Sequence, residues 1–304
     1  MEYVLTLIAD PSRCRLEDTT ARLVRDALGD LGGDCGAVEW LAPQMACDIG
    51  FEMIVPDQAE AAARRALGDL AVDVAAQPTL DRRKALLVAD MESTIIENEM
   101  LDELADFLGL RERIAAITAR AMNGEIDFAD ALRERVGLLK DLPASRLDEA
   151  SRRIRVMPGA ATLVATLKAS GTYCALVSGG FTYFTAMVRI GLGFDVDRAN
   201  RLEVNRDRLA GTVAEPILGR EAKLDALTHL AAERHLPLTR CLAVGDGAND
   251  LPMLQAAGLG VAYRAKPAVA AACRVRVDHG DLTALLYLQG YRRDDFVVRP
   301  DTLA

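Results

Sequence analysis

The chain has no pair of cysteines at C-x-x-C spacing. Its six cysteines (Cys14, Cys35, Cys47, Cys174, Cys241, Cys273) are scattered along it, and its three histidines (His229, His235, His279) show no zinc-site spacing. Buried free thiols in a reducing cytosol are therefore expected. No run of ~20 apolar residues occurs, so no membrane-spanning helix is expected. Met1-Glu2-Tyr3 carries no basic segment, and the first apolar run stops at Asp10, too short for a signal peptide. The expected location is the cytoplasm. An excess of positive charge is also missing: the formal net charge is -9, which argues against a nucleic-acid partner, because phosphate backbones demand a basic field. A small anion held in a local pocket stays compatible with that balance. Internal repeats and low-complexity tracts are absent.

What is present suits a soluble globular protein: 304 residues, 51% hydrophobic and 27% charged, enough for two domains or one large one. Residues 1 to about 80 read as a small α+β unit. Strand-like stretches are Tyr3–Ala9, Gly36–Leu41, Asp48–Val55 and Val72–Ala76; helix-like stretches are Leu16–Leu31 and Pro56–Leu70. The order βαββαβ is the ferredoxin-like pattern. It carries no catalytic constellation, and Trp40 reads as a packing residue. Gln77–Lys84 is polar, contains Pro78 and reads as a linker. The expected division is an amino-terminal domain over 1–80 and a second domain over 81–304.

From Lys84 the pattern changes. Leu86–Ala89, Tyr173–Val177 and Leu242–Val244 are short apolar runs separated by helical stretches, the signature of a parallel α/β sheet. Residues 98–157 are too long for a crossover and read as a helical cap. Its expected helices are Met100–Leu108, Leu110–Asn123, Asp127–Leu139 and Ala144–Ile154, punctuated by Gly124 and Pro143. Residues 196–217 read as a β-hairpin flap turning at Asn205-Arg206-Asp207.

Four stretches carry chemistry. Asp90-Met91-Glu92-Ser93-Thr94 places two carboxylates at the carboxyl end of a strand, where α/β folds bind ligands. One can serve as nucleophile or metal ligand and the other as proton donor. Val177-Ser178-Gly179-Gly180 offers a hydroxyl and glycine N–H groups to an anion. Lys223 can neutralise phosphate charge or hold a carboxylate ionised. Val244-Gly245-Asp246-Gly247-Ala248-Asn249-Asp250 follows a strand with polar groups and glycines that suit a metal better than a plain turn. Each stretch alone has a bland alternative. Asp90 could simply cap a helix, Glu92 and Lys223 could be solvated, and Ser-Gly pairs mark turns everywhere. The ordered set outweighs those alternatives.

That set resembles the haloacid-dehalogenase-type phosphatases and, in closer detail, the phosphoserine phosphatases. The resemblance covers about residues 84–290. It includes Glu99, the Leu132-Arg133-Glu134-Arg135-Val136 run, Met157-Pro158-Gly159 and Ser178-Gly179-Gly180-Phe181. It implies an α/β fold, a Rossmann-like parallel sheet with a helical cap insert, preceded by a small ferredoxin-like (ACT-like) α+β domain. It implies a phosphate monoester substrate, O-phospho-L-serine, hydrolysed at the last step of serine biosynthesis. By the same resemblance, Asp90 is the nucleophile, and Mg²⁺ is held by Asp90, the Glu92 carbonyl and Asp246. Ser178, Gly179, Lys223 and Asn249 hold the phosphate. Glu99, Arg135 and Phe128 receive the amino acid; alone they would read as a solvated helix face and cap core, and the catalytic motifs favour the functional reading. The family usually has aspartate where this chain has Glu92, so a proton donor with a longer arm is expected there.

Two other readings share these residues. One is a related phosphatase or phosphotransferase with another amino-acid-like substrate. The other is a non-catalytic phosphate-binding regulatory protein, against which the completeness of the remaining set argues. The amino-terminal unit is open to three roles: binding a small effector, forming a homodimer, or stabilising the chain.

Overall fold

A computed structural model describes residues 1–122, 125–219 and 221–303. The positions of Asn123 and Gly124, expected at the end of one cap helix, lie outside the described residues.

The amino-terminal unit runs β1 (Tyr3–Ala9), α1 (Asp18–Gly29), β2 (Asp34–Ala42), β3 (Ala46–Glu52), α2 (Pro56–Leu67) and β4 (Val72–Pro78). Its antiparallel sheet has the order β2-β3-β1-β4. Helix α1 buries Ala21, Val24 and Leu28, spaced to share one face. Helix α2 starts with proline at its first position and buries Ala59, Ala62, Ala63 and Leu67. Both helices pack on one face of the sheet, around Leu5, Leu7, Ile49 and Phe51. Trp40 is half-buried, and its indole N–H donates to Asp18 at 2.9 Å.

The segment expected as a linker is firmly tied. Gln77 and Pro78 belong to β4. The Arg82 guanidinium bridges Asp48, at 2.7 and 2.8 Å, and also donates to Thr6 and to the Leu288 carbonyl. Asp73 accepts from the amides of Asp278, His279 and Gly280. The Leu288 carbonyl and the amides of 278–280 lie about 200 residues away in sequence, so no local pattern announces these partners.

The second unit adds β5 (Leu86–Ala89), α3 (Met100–Asp106), α4 (Arg111–Met122), α5 (Phe128–Gly137), α6 (Ser145–Ser151), α7 (Ala160–Ala169), β6 (Tyr173–Phe181), α8 (Thr182–Leu192), β7 (Val196–Asn200), β8 (Leu202–Asn205) and β9 (Arg208–Val213). It ends with α9 (Ala222–Glu233), β10 (Cys241–Gly245), α10 (Leu251–Ala256), β11 (Leu259–Tyr263), α11 (Pro267–Ala272), β12 (Val275–Val277) and α12 (Ala284–Leu288). Six strands form a parallel sheet in the order β12-β11-β10-β5-β6-β7. Strands β5 and β10 are buried along their whole length, as a sheet covered on both faces requires.

Register places the site. Ala89 pairs with Leu176 on one side and Val244 on the other. The residues that follow, Asp90, Val177-Ser178 and Gly245-Asp246, therefore emerge side by side at the carboxyl edge.

The expected flap is smaller than 196–217. Val196–Asn200 is the edge strand β7 of the main sheet, and only β8 and β9 form the hairpin. Its turn residues Arg206 and Asp207 both have positive φ, which matches the twist of a two-residue hairpin. The hairpin grips the cap: the Asp141 amide donates to the Leu209 carbonyl and the Leu209 amide to the Leu142 carbonyl, both at 2.9 Å. The carboxyl-terminal tail lies chiefly on α7. Asp301 accepts from the amides of Gly159 and Ala161, and Thr162 and Thr166 bond the tail backbone. Arg292 touches the amino-terminal unit at the Trp40 carbonyl.

Candidate active site

Three carboxylates and one ammonium occupy the carboxyl edge of the sheet. Asp90 leaves β5 with its amide bonded to the Val244 carbonyl at 3.0 Å, which locks it against β10. Its Oδ1 accepts from Lys223 Nζ at 2.7 Å. Lys223, in the first turn of α9, is 3% exposed and also donates to Asp250 at 2.5 Å. Asp250 is 0% exposed, and its Oδ2 accepts from the Gly247 amide at 2.9 Å. Gly245 must be glycine, because a Cβ there would stand 2.4 Å from the Asp250 carboxyl carbon. At Gly247 a Cβ would meet Asn249 Oδ1 at 2.4 Å.

One oxygen from each of Asp90, Asp246 and Asp250 lies within 4.8 Å of the others. Among the described residues Lys223 is the ammonium bonded within this carboxylate cluster, and all the candidate donors are oxygens. That donor set fits a hard divalent cation. The titration behaviour follows from the same crowding. Burial, reinforced by Asp250 and Asp246 and opposed by Lys223, pushes the Asp90 carboxyl up to about 8. Burial and Asp250 push Asp246 up to about 6. For Lys223, burial alone would favour the neutral amine, but Asp90 and Asp250 outweigh it and hold the ammonium above its ordinary value.

Glu92 is half-buried rather than solvated. Its Oε1 accepts from the Met100 amide at 2.7 Å, at the start of cap helix α3. Its Oε2 lies 2.8 Å from where a Cβ would stand on Gly180, so the glycine makes room for the longer arm. Burial, with the Glu99 charge next, pushes Glu92 up to about 8. Ser178 is buried, and its hydroxyl accepts from the Gly180 amide at 2.9 Å.

The cap residues close over this edge. The Phe128 ring comes within 3.3 Å of the Cβ position of Gly179 and 3.8 Å of that of Gly219. Glu99 is exposed and accepts from the Ser93 hydroxyl at 2.7 Å. Ser93 holds a positive φ of 56°, a turn that aims its hydroxyl at Glu99. Arg135 is half-buried. Its guanidinium donates to the Ala131 carbonyl at 3.2 Å and to Thr118 Oγ1 at 3.3 Å. Burial lowers its pKa, while Glu92, Glu99 and Asp102 oppose that. The structure thus gathers Asp90, Glu92, Ser178, Gly179, Lys223, Asp246, Asn249 and Phe128 at the carboxyl edge of the sheet. Glu99 and Arg135 sit at its cap side and make no direct pair with each other in the described contacts.

Two residues at the site were not anticipated. Lys266, just after β11, donates its amide to the Asp246 carbonyl at 3.3 Å, and its charge draws the Asp246 pKa down. A lysine past a strand end was the available signal, but β11 was not read as a strand. Asn200, at the end of β7, bonds the Gly179 carbonyl at 2.9 Å.

A sheet with an acid at its central strand end, an acid-rich loop on the neighbouring strand and a helical cap defines a class of hydrolase. The model of the haloacid dehalogenase-like hydrolases matches residues 87–255, and the chain belongs to that family. It is similar to a phosphoserine phosphatase of Streptomyces coelicolor, 44% identical over 237 residues, which are 77% of this chain and 58% of that protein. The chain therefore spans less than two thirds of that relative. The fold is similar to a family hydrolase, t0658, from Salmonella enterica serovar Typhi. The TM-score is 0.83 at 28% identity, covering 94% of this chain and 97% of the other. It is also similar to a phosphoserine phosphatase solved as a phospho-aspartyl intermediate analogue. That TM-score is 0.63 at 38% identity, covering 67% of this chain and 98% of the other.

Proposed function

We propose that this chain hydrolyses O-phospho-L-serine to L-serine and phosphate through an aspartyl-phosphate on Asp90, the reaction that completes serine biosynthesis. The observation that carries the reading is the buried Asp90, paired with Lys223 at 2.7 Å and facing Asp246 and Asp250. The resemblance of the motifs and the phosphoserine phosphatase relatives supports the substrate. Asp90, the Glu92 carbonyl and Asp246 would hold Mg²⁺, which when bound would shield an anionic nucleophile from an anionic phosphate.

The chain's own groups divide the rest. Asp90 attacks phosphorus as the ionised carboxylate, the form that the Lys223 ammonium favours and a bound divalent cation would favour further, and the serine oxygen departs with its bonding pair. Glu92, protonated near neutrality by burial, gives that oxygen a proton. Water then attacks the phosphorus of the acyl phosphate, the phosphorus–oxygen bond to Asp90 breaks and frees its carboxylate, and Glu92 takes a proton from the water. Ser178, the Gly179 amide, Lys223 and Asn249 hold the non-bridging oxygens. Glu99 receives the substrate ammonium, Arg135 its carboxylate, and Phe128 forms the apolar wall. We take 1–80 and 81–304 as the two domains, with the cap at about 98–157.

The test is phosphate release from L-phosphoserine with and without Mg²⁺, against a panel of small phosphate esters. Release that needs the metal, stops with a chelator and favours L-phosphoserine is expected; equal turnover of all esters contradicts the substrate. Arg135→Ala should raise KM for L-phosphoserine about 10- to 100-fold, the value of a charge-assisted hydrogen-bond pair. An ester lacking a carboxylate should show no such rise. Equal effects on both substrates would remove Arg135 from carboxylate recognition.

A further inference from the structure

The ladder between β6 and β7 breaks at the phosphate-facing turn. Val177 pairs with Arg198, but the next pair is Phe181 with Asn200. Three residues on β6 therefore stand against one, Ala199, on β7, and Ser178-Gly179-Gly180 bulges out of the ladder. A bulged carbonyl loses its strand partner and needs another. Asn200 supplies it.

Asn200 is 2% exposed. Its Nδ2 donates to the Gly179 carbonyl at 2.9 Å and to the Leu218 carbonyl at 3.3 Å. Its Oδ1 accepts from the Leu218 amide at 2.8 Å. An amide N–H can only donate and a carbonyl can only accept, so these partners leave one orientation of the side chain. Both Nδ2 hydrogens are used. The side chain thus ties two segments that share no backbone ladder. One is the Ser178-Gly179 turn, and the other is the Leu218-Gly219 loop that leads into α9 and Lys223. The Phe128 ring rests across both glycines, at 3.3 and 3.8 Å from their Cβ positions.

We propose that Asn200 is a positioning residue for the phosphate pocket, holding the Gly179 peptide and the loop before Lys223 in the register that binds a phosphoryl group. The proposal rests on the phosphatase reading above, but phosphate affinity tests it separately from turnover. Inorganic phosphate binding in the presence of Mg²⁺ is measured by calorimetry for wild type, Asn200→Asp and Asn200→Ser. L-serine inhibition and thermal unfolding are followed in parallel. Asn200→Asp keeps the shape and turns both donated bonds into oxygen–oxygen contacts. Asn200→Ser brings in no charge and carries the comparison if the first variant does not fold.

The expected result is phosphate binding weakened about tenfold or more, as for a buried polar group left without its partner, with kcat/KM falling in parallel. Inhibition by L-serine, which occupies the cap side, should stay within twofold. A folded variant with phosphate affinity within twofold of wild type overturns the proposal. So does an equal weakening of phosphate and L-serine, the mark of a merely structural role. A wild-type protein that binds phosphate yet leaves L-phosphoserine intact would sink the substrate assignment and leave the Asn200 comparison standing.

Discussion

Asp90→Asn is expected to lower kcat for L-phosphoserine on the order of 10⁴-fold or more, the scale on which covalent mechanisms respond to loss of the nucleophile. The substitution changes one oxygen to nitrogen and leaves the volume unchanged. Lys223 keeps its bond to Asp250, so the ammonium is not orphaned. The fold should survive, because the variant removes one of three crowded carboxylates. Steady-state phosphate release measures the loss, and mass spectrometry of wild type quenched during turnover should find the added phosphoryl group on Asp90. Turnover above about one hundredth of wild type would exclude Asp90 as the attacking group.

Lys223→Met should damage both stability and activity. Among the described residues its ammonium is the cation bonded to both Asp90 and Asp250. Its removal leaves buried carboxylates without a counter-charge, a loss of about 3–5 kcal/mol. The phosphoryl group also loses a positive ligand, worth on the order of 10²–10³ in kcat by analogy with other charge-stabilising donors. Chemical denaturation and phosphate release read the two effects. A variant as stable as wild type without metal would mean that the carboxylates do not need the lysine.

The crowded carboxyls give metal-free wild type a pH-dependent contribution of known sign. Folded Asp90 keeps its proton up to about 8 and Asp246 up to about 6, whereas unfolded carboxyls release theirs near 4. At these two groups the unfolded state therefore binds fewer protons between those limits, and their contribution to stability falls as pH rises from about 4 to about 8. Mg²⁺ should reverse much of that fall by binding the ionised carboxylates.

Much of the fold was legible. β1 was read to the residue, and α2 was anticipated from Pro56 because proline suits a first helical position. Alternating elements after Lys84 announced the parallel sheet. One strand is assigned to the flap instead of the main sheet, and two, β11 and β12, give no strand signal. β7 (Val196-Asp197-Arg198-Ala199-Asn200) is a polar edge strand, half exposed, without the buried run that marks a central strand. β11 contains Gly260, which packs so closely on Leu254 that no side chain fits. β12 is only three residues long. The tail also gave no signal, since Asp301 finds its partners on α7 about 140 residues away.

Local chemistry was determined by sequence alone. An acid ending an apolar strand, a Ser-Gly-Gly turn and a glycine-flanked acid loop each need only neighbouring residues, and so they survive as words in the chain. Only the tertiary structure decided how those words meet. Lys223 reaches Asp90 across 133 positions, Glu92 bonds the first turn of the cap, and Asn200 replaces a missing ladder partner. Such contacts come from strand register and bulges, which side-chain periodicity does not encode.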